Sequence, residues 1–138
     1  MKDVKLIESR SISEFSEMLA SVGWKEYKAE QIKMALENTM YMLKAEVNGK
    51  LAGIGRVVGD GSIVCILTDI IVKPEYQNQG IGSLIVGELK KKIEDNVQEG
   101  DKMMVELTPT KGNESFYQKA GFKYNPEKIT GMYLWFIK

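Results

Sequence analysis

The order of apolar and polar positions along the chain predicts alternating strands and helices. Val4 to Ile7 reads as a short strand. Ser11-Ile12-Ser13-Glu14 has the form of a capping box, and Phe15, Met18, Leu19 and Val22 follow at helical spacing until Gly23. A second helix is predicted over Lys28 to Asn38, with Ile32, Ala35 and Leu36 inward. Met40 to Val47 alternates, placing Tyr41, Leu43, Ala45 and Val47 on one face. Asn48-Gly49 then predicts a type I′ hairpin into Lys50 to Val58. After a tight turn at Asp60-Gly61, Ile63 to Val72 is almost continuously apolar, as expected of a central strand buried on both faces. Ile81, Leu84, Ile85, Leu89 and Ile93 predict a helix that Gly100-Asp101 ends, and Met103 to Leu107 is the next strand. That order implies a right-handed parallel crossover. Asn113 to Ala120 reads as a short helix stopped by Gly121, with Phe122 to Tyr124 and Met132 to Ile137 as closing strands. The 138 residues show no repeat or linker. They are expected to form one domain, 1–138, of the α/β (α+β) class, with a mixed, mostly antiparallel sheet and one parallel strand–helix–strand join.

Composition narrows the chemistry. Lys plus Arg and Asp plus Glu are 19 each, so no bulk charge points towards nucleic acid or membrane. The longest apolar stretch is too short for a bilayer, and Met1 to Arg10 is too mixed and charged for a signal peptide, so a cytoplasmic protein is expected. Cys65 is the one cysteine and there is no histidine. A Cys/His zinc site and any Ser-His or Cys-His pair are thereby excluded, and no metal is expected. Proton transfer is left to carboxylates, Tyr, Lys or water. Cys65 reads as a core thiol, and Lys90-Lys91-Lys92 as a solvated helix face.

The segment from Val72 to Gly82 carries the most information. A strand ending at Pro74 is followed by Gln77-Asn78-Gln79-Gly80-Ile81-Gly82 and then by an apolar-periodic helix. A glycine turn at a helix N-terminus gathers free backbone N–H groups and the positive helix end, which suits a pyrophosphate. The Lys-Ser/Thr of a P-loop is missing after Gly82, and Ile85 stands where a dinucleotide fingerprint needs a small residue. What remains, Gln77-x-x-Gly80-x-Gly82 after Val72-x-Pro74, resembles the acyl-CoA signature of the GNAT superfamily of N-acetyltransferases. Asn113-Glu114-Ser115-Phe116-Tyr117-Gln118-Lys119-Ala120-Gly121-Phe122 is similar to that family's second hallmark, Asn-x-x-x-Tyr-x-Lys-x-Gly-Phe. The two motifs stand in the family's order, with one helix and one strand between them.

The resemblance implies acetyl-CoA as co-substrate and acetyl transfer to an amine. It implies that Gln77, Asn78, Gln79, Gly80, Ile81 and Gly82 hold the pyrophosphate, chiefly through backbone amides, and that Asn113 is a further CoA contact. It implies that the backbone of Ile71 and Val72 bonds the pantetheine arm and polarises the thioester carbonyl. Tyr117 is expected near the CoA sulfur as general acid, its phenol giving a proton to the departing thiolate; as a lone Tyr it would read as a core aromatic beside Phe116 and Phe122. Asp69, inside the most apolar strand, is a candidate base for the incoming ammonium or else a structural hydrogen-bond partner. Glu106 is the second candidate, and an ordered water chain serves in many members of the family. Trp24, Tyr27 and Glu30 lie where the family builds its acceptor pocket. An aromatic wall with a carboxylate suits a small cationic amine, although the same residues could seal the turn between two helices. The expected partner is a small-molecule primary amine, with no nucleic acid and no membrane; an exposed sheet edge near the C-terminal strand admits a homodimer. Two other functions fit the same motifs: acetylation of a protein lysine or N-terminus, and a non-catalytic acyl-CoA sensor.

Overall fold

A computed structural model describes residues 3–124, 127 and 131–138. The chain divides into two compact units, Met1–Leu107 and Thr108–Lys138. The first holds a five-stranded sheet in the sequential order β1 (Val4–Glu8), β2 (Tyr41–Val47), β3 (Lys50–Gly59), β4 (Val64–Val72), β5 (Met104–Glu106). All neighbours are antiparallel except β4 and β5, which run parallel and are joined through a helix. That is the mixed α/β sheet expected from the sequence.

The helices α1 (Ile12–Ser21) and α2 (Ala29–Glu37) supply Phe15, Met18, Leu19, Ile32 and Leu36 to a core closed by Met42, Ile54 and Ile71 of the sheet. Ser11 caps α1, accepting from the Glu14 N–H at 3.2 Å. The reciprocal half of the capping box is absent, because the Glu14 carboxylate bonds Lys44 and Ser9 instead. Arg10 spans the far end of α2, donating to the carbonyls of Leu36 (2.6 Å) and Thr39 (2.7 Å) where the regular i+4 bonds of the helix run out. The β2–β3 turn has positive φ at both Asn48 and Gly49, the type I′ geometry. At the β3–β4 turn one oxygen of Asp60 accepts from the N–H groups of Ser62, Ile63 and Val64, and these bonds hold its carboxyl below the usual range.

The helix α3 (Ile81–Asp95) covers the other face of the sheet, lying so close that β3 presents glycines to it. A Cβ on Gly53 would meet Ile85 Cδ1 at 3.0 Å, and one on Gly55 would meet Ile85 Cγ2 at 2.5 Å. Ile81, Ile85, Leu89 and Ile93 are buried as expected, but Leu84 is exposed and Val86 is buried in its place. Leu84 follows Ile81 by three residues yet falls on the far side of a stripe centred on Leu89. The helix also stops before Gly100. Asn96 is its C-cap and turns its side chain back to the Lys92 carbonyl at 2.8 Å, so the chain leaves the helix there.

Two further expectations differ from the structure. β4 is central in pairing but not covered throughout: Ile66 is 43% exposed, and Ile63 lies outside the strand in the Asp60 turn, 70% exposed. Ile66 is exposed although it pairs with Glu106 of β5, because a neighbouring strand closes an edge and does not cover a face. In the second unit α4 (Glu114–Lys119) forms and Gly121 follows with φ 100°. The expected closing strands do not: Phe122–Tyr124 and the described residues 131–138 have no strand, and Met132 to Ile137 are exposed. An alternating apolar run becomes a strand only by joining a ladder, and these residues join none. Positions 125, 126 and 128–130 lie outside the described residues. Among the described residues no helix is long and apolar enough to cross a membrane.

Candidate acyl-CoA site

Three local features of the first unit converge at the C-terminal end of β4. The first is a β-bulge. Arg56 pairs with Thr68 and Ile54 with Ile71, so Gly55 alone faces both Asp69 and Ile70. Asp69 takes the extra turn of backbone with φ 53°, an uncommon conformation that Asp tolerates better than most residues. The bulge rotates Ile70 onto the empty side of Gly55, where an added Cβ would meet Ile70 Cδ1 at 2.9 Å.

The second feature is an open strand edge. β5 pairs with β4 only from Val64 to Ile66, and among the described residues no strand continues along that edge to Val72. The Lys73 N–H is directed at β3, bonding the Ala52 carbonyl at 2.8 Å. N–H directions alternate along a strand, so the Val72 N–H faces the opposite way, towards the open edge. An extended ligand arm laid along this edge would find peptide groups arranged as another strand would find them.

The third feature is the loop into α3. Pro74–Tyr76 forms a 3-10 turn, and Asn78 (φ 62°) and Gly80 (φ 82°) bend the chain back into the helix. Gly80 is the N-cap and offers no side-chain cap, so the first-turn amides of Ile81, Gly82 and Ser83 have no acceptor from the cap residue. A Cβ at Gly80 would meet nothing within 4 Å, so its glycine answers to the positive φ and leaves open space over the amides. Gln77 Nε2 donates to the Val72 carbonyl at 2.9 Å and Gln79 Nε2 to the Glu75 carbonyl at 3.3 Å. These side chains brace the loop. Ile71 and Ile81 bury their side chains in the core; by the same alternation the Ile71 N–H faces β3, where Ile71 pairs with Ile54, so on this strand the open-edge donor is Val72 and not Ile71. Open amides at the positive end of a fifteen-residue helix fit the pyrophosphate of acyl-CoA.

The candidate acid and bases stand in distinct settings. The Asp69 carboxylate is held by Arg56, through Nε at 2.9 Å and Nη2 at 2.8 Å. Arg56 also donates from Nη1 to Thr39 Oγ1 at 3.1 Å and lies over the Phe15 ring at 5.5 Å. Glu106 is exposed on β5 opposite Ile66, where the two strands part. Asp69 lies three positions further along β4 than that point, about 10 Å along the strand. Trp24 and Tyr27, in the α1–α2 connection, are 39% and 38% exposed, and Glu30 is exposed in the first turn of α2. In the second unit Tyr117 is half-buried, with Phe116 and Phe122 edge-on to it at 4.9 and 6.1 Å, and burial pushes its phenol above the ordinary range. Asn113 does not cap α4 with its side chain, which donates to Thr110 Oγ1 at 2.5 Å.

Arg56, Thr39 and the open β4 edge were not visible in the sequence. An arginine in an alternating strand reads as a solvent-facing residue, and only the bulge thirteen positions on turns Asp69 towards it.

Comparison with known proteins gives the family. The acetyltransferase (GNAT) domain family matches residues 7–138. An uncharacterized N-acetyltransferase of Pyropia yezoensis is 26% identical over 138 residues, covering 96% of this chain and 77% of that protein. A Staphylococcus aureus protein described as a probable acetyltransferase superposes with a TM-score of 0.86 at 27% identity, over 97% of this chain and 100% of that one. A GNAT-family acetyltransferase of Streptococcus pneumoniae gives 0.73 at 29% identity, over 100% and 99%. The chain belongs to the GNAT acetyltransferase family and is an acetyl-CoA-dependent N-acetyltransferase.

Proposed function

We propose that this enzyme acetylates the primary amine of a small molecule by direct transfer, without an acyl-enzyme. The observation that carries the reading is the open edge of β4 running into an uncapped helix N-terminus. A strand-like arm and a pyrophosphate find their partners in sequence there. Bound acetyl-CoA supplies the acetyl group as an activated thioester. Asp69, Glu106 or water takes the proton from the acceptor ammonium. The Val72 N–H donates to the carbonyl oxygen on which negative charge develops, as an oxyanion-hole donor does. Tyr117 gives its proton to the departing sulfur, and a phenol pushed up by burial remains protonated for that task at neutral pH. Asn113 is a further CoA contact in this reading. Trp24, Tyr27 and Glu30 line the acceptor side, where exposed rings beside a carboxylate favour a small cation over an acidic or neutral acceptor. The two compact units act as one domain, a reading supported by a family match that runs through both.

The test is CoA release from acetyl-CoA across polyamines, amino sugars, amino acids, arylalkylamines and lysine peptides. Release with one class of small amine is expected. Release with lysine peptides alone would replace the small-molecule reading with a protein substrate, and silence with acetyl-CoA still bound would favour a sensor.

A further inference from the structure

We propose that Arg56 is a positioning residue for acyl transfer: it grips one oxygen of Asp69 in the β4 bulge and leaves the other free for the incoming amine. The proposal rests on the amine-acceptor reading above. The Nε hydrogen bond and the Nη2 ion-pair contact both end on the same carboxylate oxygen, Oδ2. Among the described residues Oδ1 accepts no hydrogen bond, and the Asp69 side chain keeps 16% of its surface open. A carboxylate bound side-on by arginine usually engages both oxygens in parallel bonds. Here one oxygen anchors and the other keeps its acceptor capacity.

The anchor is itself fixed. Nη1 of Arg56 is tied to Thr39 Oγ1, whose own hydroxyl donates to the Ala35 carbonyl at 2.8 Å, and the guanidinium lies over Phe15. Helices α1 and α2 and strand β3 thus all bear on the orientation of one carboxylate in β4. Asp69 holds a positive φ that an extended strand would not impose, and its hydrogen-bonded ion pair with Arg56 offsets that cost. The clamp sits at the bulge itself, beyond which Ile71 and Val72 pair with Ile54 and Gly53 of β3. A lysine at position 56 could keep the charge but not this fork of bonds to Asp69 and Thr39.

Two variants separate positioning from simple structural support. Asp69→Asn keeps a carbonyl oxygen for Arg56 and a residue that tolerates positive φ, but puts an N–H₂ donor in place of Oδ1. Arg56→Lys keeps the positive charge and loosens the clamp. Each is assayed with the amine panel above, alongside acetyl-CoA affinity by titration calorimetry and the thermal midpoint. The expected result is acetyl-CoA affinity within about threefold of wild type for both. The kcat/KM for the amine is expected to fall about tenfold or more, as for loss of a hydrogen bond to a charged group. Arg56→Lys added to Asp69→Asn should change kcat/KM little further, since Arg56 acts through Asp69. The proposal is overturned if Asp69→Asn leaves amine kcat/KM unchanged, or if the two losses multiply. It is also overturned if acetyl-CoA affinity and thermal midpoint fall in step with activity, the signature of a structural role alone. A wild-type enzyme silent with every amine while binding acetyl-CoA would instead overturn the acceptor reading, and this proposal with it.

Discussion

A single phenol carries the clearest chemical prediction. Tyr117 is half-buried between two aromatic rings, and burial disfavours its phenolate. The useful form of a general acid is the protonated one. A raised pKa therefore extends that form to higher pH, and the alkaline fall in turnover should lie above the ordinary phenol value of about 10. Tyr117→Phe keeps the ring and removes the proton. Turnover should fall roughly 10²- to 10⁴-fold while acetyl-CoA affinity holds, a split that stopped-flow binding and steady-state rates resolve together. Unchanged turnover would remove Tyr117 from the chemistry and return it to the aromatic cluster. At this scale the sequence singles out residues that sit in a fixed spacing, as Tyr117, Gly80 and Gly82 do. It is silent on contacts that only the fold creates, such as the pairing of Arg56 with Asp69. Nothing between positions 56 and 69 reports that their side chains meet.

Among the elements, β3 sets how closely α3 can approach, and that approach was also hidden. The apolar pattern of Lys50 to Val58 predicts a strand equally well with alanine at 53 or 55. The structure gives the reason for glycine. The bulge swings Ile70 over Gly55, and Ile85 and Leu89 of α3 close on the same spot, leaving 2.5 to 2.9 Å where a Cβ would stand. Gly55→Ala must push α3 or Ile70 outwards and should cost about 1–3 kcal/mol in urea unfolding, the range for overpacking a core. Because Ile70 leads into the Val72 edge, the variant should also weaken acetyl-CoA binding. A fully stable Gly55→Ala chain would mean that α3 is less tightly seated than these distances require. In the first unit, strand and helix positions were legible from periodicity because burial on one face imposes it. Ends were less so: Asn96 stops α3 before Gly100 by a side-chain bond that periodicity does not encode, and Leu84 shows that apolar spacing alone does not fix which side faces in.

At the scale of the whole molecule, one thiol reports on the first unit. Cys65 is fully buried in β4, paired with Gly59 of β3 on one side and Val105 of β5 on the other. Burial, with the nearby Asp60 charge, pushes its thiol above the ordinary range. Reaction with a thiol reagent thus requires both protection and ionisation state to change, and a native chain should react slowly. Two openings could expose it. Separation of short β5 from β4 would free one edge of Cys65 while the rest of the sheet stands; global unfolding would free it completely. Ligand binding distinguishes them. A CoA analogue without sulfur, at a concentration about 100 times its Kd, stabilises the state that binds it by about 2.7 kcal/mol. If Cys65 is reached only by opening that also destroys the Val72–Gly82 site, the analogue should slow its labelling about 100-fold. Labelling unaffected by the analogue would show instead that β5 leaves the sheet while the site persists. β4 would then have a mobile edge at Ile66, where its pairing with β5 stops. The first outcome is expected, because β4 carries Cys65 and the proposed acyl-CoA edge on one continuous strand, Val64–Val72.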